Sequence, residues 1–321
     1  MASADLQPPK IEPVPSGLPR PFWSVMIPTF NCANYLRQTL ESVLAQAPDP
    51  EQMQVEVVDD CSTKDDPEAV VREVGKGRVT FYRKPKNEGA IANFNTCIQR
   101  SRGQLVHILH GDDYVLPGFY REIESLAQTN PEAALMASRV FLIDEAGVIL
   151  CVSGRLRELE NGSRSVATLY YQNPIQCAGV VVRRWFYERH GGFLPDFVHV
   201  ADYEMWSRAI RLEGGVATPE TLASYRIFAA NDTGRLARTA ENLRDIEKLH
   251  RIFAARHPDY DLNRSVLEIC VRAREQAVLF EAKGDQAAAQ ANWDYWKKNA
   301  PLKLRLRHGL RAVVSQLKQQ T

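Results

Sequence analysis

Apolar positions recur along the first half of the chain in two alternating periods. Short apolar runs at Trp23 to Ile27, Val55 to Val58, Val79 to Tyr82 and Leu105 to Leu109 have the length and β-branched content of buried strands. Between them the spacing is helical. Leu36, Leu40, Val43 and Leu44 share one face, and Val70, Val71 and Val74 follow the helix-start signal Asp66-Pro67. A third helix is predicted from Asn87-Glu88-Gly89 to near Gly103. Four strand–helix alternations predict an α/β fold, a parallel sheet covered on both faces, with its ligand edge at the strand C-termini. After residue 133 the pattern changes: Ala134 to Ile143 and Val148 to Val152 flank a turn at Asp144-Glu145-Ala146-Gly147. From about Arg235 the chain reads as helices alone, with a break at Gly284-Asp285. The expected organisation is a leader over 1–21, an α/β domain over 22–234 and a helical extension over 235–321. The prolines at 8, 9, 13, 15, 19 and 21 predict a disordered or extended leader.

Two of the predicted strands end in acidic pairs. Leu105 to Leu109 runs into His110-Gly111-Asp112-Asp113, and Val55 to Val58 runs into Asp59-Asp60-Cys61-Ser62. Carboxylates held side by side repel unless a cation joins them. A hard divalent ion carrying a phosphorylated substrate suits such a pair, because Mg²⁺-type sites combine one or two carboxylates with phosphate oxygens. Helix or turn capping is the competing reading for each pair. A dehydrogenase is excluded, since Pro28-Thr29-Phe30-Asn31-Cys32-Ala33 after the first strand contains no glycine fingerprint.

Composition narrows the picture little. The 321 residues are 45% hydrophobic and 25% charged, as in an ordinary globular protein, and the net charge of +1 gives no reason to expect nucleic acid as a partner. No apolar stretch approaches the roughly 20 residues of a membrane span, and the N-terminus lacks a secretion-signal pattern. Six scattered cysteines without C-x-x-C spacing read as reduced thiols of a cytosolic protein rather than a zinc site.

In order and spacing, the motifs from Ser24 to Asn231 resemble the inverting, family-2 glycosyltransferases with the GT-A nucleotide-diphospho-sugar fold. The elements are Ser24-Val25-Met26-Ile27-Pro28-Thr29-Phe30-Asn31, Val57-Val58-Asp59-Asp60-Cys61-Ser62, Asn87-Glu88-Gly89 with Asn93-Phe94-Asn95, and Gly111-Asp112-Asp113 with Pro117. Gly191-Gly192-Phe193, Asp202-Tyr203-Glu204-Met205-Trp206 and Tyr225-Arg226 complete the set. The resemblance implies a Rossmann-like, mostly parallel central sheet. It implies donor contacts from Pro28, Thr29, Asn31, Asp59, Asp60, Asn87, Gly89, Asn93, His110, Gly111, Asp112 and Arg226, the last against the diphosphate or else in a surface ion pair. One of Asp59 and Asp60 is expected merely to cap the next turn. Asp112 takes the metal-ligand position, with Asp113 beside it, for Mn²⁺ or Mg²⁺. Asp202 is the expected general base, whether or not it also caps its helix, since a carboxylate must take the acceptor hydroxyl's proton. Gly192 and Trp206 are the acceptor-side candidates, although the helical spacing of Ala209 and Ile210 favours a core position for Trp206. Glu204 reads as solvated.

Three positions depart from the family pattern. His110 stands where many relatives complete D-x-D, Ala201 where a Glu commonly precedes the base, and Phe228 where a histidine often follows Tyr-Arg. The metal site is therefore expected to be weaker than usual, with His199 a candidate to compensate. The implied activity is one-step transfer of a sugar from a nucleotide-diphospho-sugar to a hydroxyl of a glycan or lipid-linked acceptor, in bacterial envelope or surface polysaccharide synthesis. The alternative is a catalytically weak relative that binds nucleotide or glycan within a polysaccharide-assembly complex. Acceptor contacts are expected from the Gly154 to Tyr171 and Gly192 loops. In 302–321, apolar residues at helical spacing alternate with lysines and arginines and no acid. This pattern fits either a docked terminal helix or a peripheral contact with the inner membrane face.

Overall fold

The computed structural model describes residues 6–228 and 232–306. These form two compact units divided between Phe228 and Ala229. The first unit begins with three strand–helix pairs: β1 Trp23–Thr29, α1 Ala33–Leu44, β2 Met53–Asp59, α2 Pro67–Gly75, β3 Thr80–Arg83 and α3 Ala90–Arg100. It continues through β4 Leu105–Ile108, β5 Tyr114–Val115, α4 Phe119–Thr129 and the strands β6 Leu135–Ile143 and β7 Ile149–Val152. Then come β8 Val180–Arg183, α5 Arg184–His190, α6 Ala201–Glu213 and β9 Gly215–Arg226.

These nine strands form one sheet in the order β3-β2-β1-β4-β8-β6-β9-β5, with β7 paired to β6. β1 to β4 are parallel, as their alternation with helices requires. Beyond β4 the sheet is mixed: β8 runs antiparallel to β4 and β6, β9 parallel to β6, and β5 antiparallel to β9. The hairpin predicted around Asp144 to Gly147 is present, with β6 and β7 antiparallel.

The strands that cross the centre are apolar because both faces are covered. Val25, Ile27, Val55, Val57 and Leu105 pack with Leu36, Leu40 and Val43 of α1, Val71 of α2 and Phe119 and Ile123 of α4. Asp66 caps α2 by accepting from the Ala69 N–H at 3.1 Å, and Pro67 fills the first turn, where no N–H is needed. A cavity of about 460 Å³ lies at the start of β1, among Trp23, Gln46, Tyr120, Arg121 and Gln128. That is the opposite end of the strand from the acidic pairs.

Residues 6–21 of the leader carry no helix or strand and are docked, as the extended alternative allows. Ile11 is 1% exposed. The Gly192 N–H donates to the Pro9 carbonyl at 2.9 Å, and Arg184 Nη2 donates to the Glu12 carbonyl at 2.9 Å. A chain rich in proline has less entropy to lose on ordering, so a few such contacts suffice to hold it.

The described part of the second unit is built of helices: α7 Asp232–Arg238, α8 Glu241–Arg256, α9 Leu262–Ala282 and α10 Gln286–Asn299. Asp261 and Asp285 cap α9 and α10 through the N–H groups of Arg264 and Ala288. Gly284 takes φ +75° at the break between them, a value that favours glycine. Of the basic stripe, only 302–306 is described, where Leu302 and Leu306 are exposed. The rest of that expectation lies outside the described residues.

Candidate functional site: an acidic edge at the strand C-termini

The ends of β1, β2 and β4 are tied together by backbone. Asp60 N–H donates to the Thr29 carbonyl at 2.9 Å, and Gly111 N–H to the Pro28 carbonyl at 3.1 Å. Both acidic pairs therefore flank the end of β1. A Cβ on Gly111 would stand 3.0 Å from both Thr29 Oγ1 and Cys32 Sγ, so glycine allows this close approach. Thr29 Oγ1 and Cys32 Sγ lie 2.8 Å apart. Burial, then the Asp112 charge, push the Cys32 thiol up to about 12.

Both members of the first pair hold the turn and loop that follow, where capping is expected of one. Asp59 is fully buried; it accepts from Ser62 N–H and Ser62 Oγ and pairs with Arg83 Nε at 2.7 Å. Asp60, also buried, accepts the N–H groups of Glu88 and Gly89 and pairs with Lys84 Nζ at 2.7 Å. These bonds fix the turn after β2 and the loop that opens α3. Asn31, at φ +51°, accepts from the N–H groups of Thr63 and Lys64 through Oδ1, and so orders the same turn. Buried Asn93 donates to the Val58 carbonyl at 2.9 Å. These four residues organise the crevice wall. Asn87 is exposed at its rim.

Arg226, expected against the diphosphate or in a surface ion pair, is a buried bolt. It is 3% exposed. Its backbone N–H donates to Asp113 Oδ1 at 2.8 Å, and Nε donates to the Asp112 carbonyl at 3.0 Å. Nη1 reaches the Asp144 and Glu145 carbonyls and Nη2 reaches Gln38 Oε1, while the guanidinium lies over the Tyr35 ring. The fork is spent on holding the β6–β7 turn against the second acidic pair.

That second pair differs from the first. The Asp113 backbone carbonyl accepts from Thr39 Oγ1 at 2.7 Å and its Oδ1 from Arg226, but its buried Oδ2 accepts no hydrogen bond among the described residues. Burial, then the neighbouring Asp112 charge, hold the Asp113 carboxyl well above the usual range. His110, Asp112 and Asp113 each offer a ligand atom, all within 4.8 Å of one another. An orphaned, buried carboxylate oxygen beside two further donors is what a bound cation satisfies. His199, half-buried, is not part of this cluster. Phe228 packs against Tyr35, with ring centroids 5.7 Å apart.

Asp202 lies in the first turn of α6, where the cap position belongs to Val200, so its side chain is not the cap. Oδ1 accepts the Tyr203 N–H at 2.7 Å and Oδ2 accepts Asn173 Nδ2 at 3.2 Å. Burial pushes this carboxyl up to about 6, against the opposing effect of those donors. Cys177, buried on the turn before β8, donates its thiol to the Ile108 carbonyl at 3.4 Å. Burial raises the Cys177 thiol first, and the charges of Asp202 and Asp113 then raise it further. The segment from Asn173 to Cys177 thus touches Asp202 at one end and the end of β4 at the other, which brings the α6 start toward the β4 end. Sequence reasoning missed Asn173 and Cys177, since neither sits in a motif.

The two acceptor-side candidates are both buried. Trp206 is 1% exposed and packs edge-to-face on Phe193, as its helical spacing favours. Gly192 is buried, and a Cβ there would meet Asn95 Oδ1 at 2.2 Å. Glu204 is not solvated but forms a buried ion pair with Arg208 at 3.0 Å.

The family model described as glycosyl transferase family 2 matches residues 24–184. The chain belongs to glycosyl transferase family 2. An uncharacterized protein of Mycobacterium tuberculosis is 26% identical over 72% of this chain and 75% of its own. An uncharacterized glycosyltransferase of Rickettsia prowazekii is 26% identical over 70% of each. Among solved structures, Staphylococcus aureus TarS in complex with UDP-GlcNAc superposes with TM-score 0.57 at 14% identity, over 87% of this chain and 81% of that one. The mannosyltransferase PcManGT of Pyrobaculum calidifontis, in complex with GDP-Man and Mn²⁺, gives 0.55 at 17% identity, over 97% and 84%. These likenesses establish that this glycosyltransferase has the GT-A fold.

Proposed function

We propose that this glycosyltransferase is inverting and metal-assisted. It moves a sugar from a nucleotide-diphospho-sugar to a hydroxyl of a glycan or lipid-linked acceptor in bacterial envelope or surface polysaccharide synthesis. The observation that carries this reading is that one short segment reaches both acidic centres: Asn173 donates to Asp202, and Cys177, four residues on, donates to the Ile108 carbonyl at the end of the strand that runs into Asp112 and Asp113. Asp112 and Asp113 mark where a diphosphate and its cation are held, and Asp202 marks where a proton is taken up. The mannosyltransferase solved with GDP-Man and Mn²⁺ supports the donor class and the cation.

Asp112 and Asp113 would hold Mn²⁺ or Mg²⁺, which when bound would supply charge stabilisation for the diphosphate leaving group. Asp202 does the remaining work. Its carboxylate accepts the acceptor hydroxyl's proton as that oxygen attacks the anomeric carbon from the side opposite the diphosphate, which inverts the configuration. With a carboxyl pushed up to about 6, it is ionised at neutral pH yet basic enough to hold that proton. Asn173 keeps the carboxylate oriented. His110, Asp112, Asn87 and Gly89 border the donor pocket.

No helix among the described residues is long and apolar enough to cross a membrane. A cytoplasmic enzyme that meets its acceptor at the inner membrane face, through the basic stripe over 302–321, fits this reading. A thermal-shift screen of nucleoside diphosphates and their sugars, with and without Mn²⁺, tests it, because a bound ligand raises the transition by mass action. One base should stand out, and only with Mn²⁺ present. Equal transitions across the panel would contradict donor binding.

A further inference from the structure

We propose that His110 supplies a nitrogen ligand to the same cation as Asp112 and Asp113, so that the centre is a mixed histidine–carboxylate site tilted toward transition-metal ions and away from Mg²⁺. This rests on the metal-assisted reading above and adds to it a residue that the family pattern would fill with a carboxylate.

Three observations carry the inference. First, the ligand atoms of the three residues fall within 4.8 Å of one another. Ligands about 2.1 Å from one octahedral ion stand roughly 3 Å apart when adjacent and roughly 4.2 Å apart when opposite, so one ion reaches all three once the side chains close in by about half an ångström. Second, His110 Nδ1 faces Asp113 Oδ2 at 3.6 Å, beyond hydrogen-bond distance. That oxygen is buried and accepts no hydrogen bond among the described residues. Two donor atoms brought this near without bonding each other have a shared ion as their natural complement. Third, the imidazole plane is set from outside the cluster. Phe94 stacks on it with centroids 5.1 Å apart and planes 13° from parallel. Phe94 is itself braced edge-to-face by Phe193, with centroids 5.5 Å apart. An imidazole held this way keeps one orientation, as a metal ligand requires.

The choice of ion follows from ligand chemistry. Mg²⁺ favours all-oxygen surroundings and gives up water reluctantly, whereas an imidazole nitrogen strengthens binding along the series from Mn²⁺ toward Co²⁺ and Zn²⁺. With aspartate at 110 the site would be all-oxygen and would discriminate less steeply.

The test uses the full chain with Mn²⁺ and UDP or GDP. Electron spin-echo spectra of bound Mn²⁺ should show ¹⁴N modulation that becomes ¹⁵N modulation when the protein is labelled with ¹⁵N-histidine, a comparison that needs no variant. In His110→Asp the modulation should vanish while Mn²⁺ stays bound, and the preference for Co²⁺ over Mg²⁺ should fall about tenfold or more. Bound Mn²⁺ without nitrogen modulation, or an unchanged Co²⁺ to Mg²⁺ preference in His110→Asp, overturns the ligand assignment and leaves metal use standing. No bound Mn²⁺ with either nucleotide overturns both.

Discussion

Asn173 donates through Nδ2 to Asp202 Oδ2 at 3.2 Å, while its own Oδ1 accepts the Ile175 N–H at 3.1 Å. The second bond fixes which way the amide points, so the first is always a donor to the carboxylate. Burial raises the Asp202 carboxyl to about 6, and Asn173 opposes that rise by favouring the ionised form.

The pH dependence follows from this pair. A base must be ionised, so kcat/KM should fall about tenfold per pH unit below about 6. In Asn173→Ala the ionised form loses a donor, and the acid limb should move to higher pH. An acid limb unmoved in the variant would show that Asn173 serves the loop alone.

Asp202→Asn separates chemistry from binding. Turnover should drop by about 10²–10⁴-fold, the range for loss of a general base, with nucleotide affinity nearly unchanged. NMR of the product should show the inverted anomer. Retained configuration, or normal turnover in the variant, would sink the single-displacement mechanism.

Arg226→Ala probes the bolt. It leaves the carbonyls of Asp112 and Glu145 without this donor, and that of Asp144 with only the Gly147 N–H, at a cost on the order of 3 kcal/mol. A denaturant midpoint equal to the wild type's would contradict the structural role. Arg226→Lys should recover little, since an ammonium cannot span the same carbonyls.

The docked leader makes a prediction of its own. Deleting residues 1–12 removes Ile11 and uncovers Arg184, and Gly192→Ala drives a Cβ onto Asn95 Oδ1. Each should destabilise the first unit by about 1–3 kcal/mol. Thermal denaturation at wild-type temperature for both would return the leader to the status of a free tail.

The parallel half of the sheet is legible in the sequence because each of its strands is a short apolar run between helices of period 3.6. β9 is not. Gly215–Arg226 carries Pro219 and Glu220 in its middle and alternates buried and exposed stretches, so no single period marks it. The acidic pairs are legible as charges at strand ends, but their division of labour is not. Asp59 and Asp60 find partners in Arg83, Lys84 and the Glu88-Gly89 backbone, all brought to them by the fold. Arg226 misleads for a related reason: a guanidinium near an acidic motif looks like a phosphate ligand until the carbonyls it holds are seen. Asn173 lies 29 positions from Asp202 in a loop without periodicity, and only the fold joins them.

The most direct measurement of the central claim is calorimetric titration of nucleoside diphosphate and its sugar into the wild type and Asp112→Asn, each with Mn²⁺ and with chelator. The wild type should bind tightly only with Mn²⁺, and the variant should bind in Mn²⁺ no better than the wild type does in chelator. Equal, metal-responsive affinity in the two proteins would contradict the account.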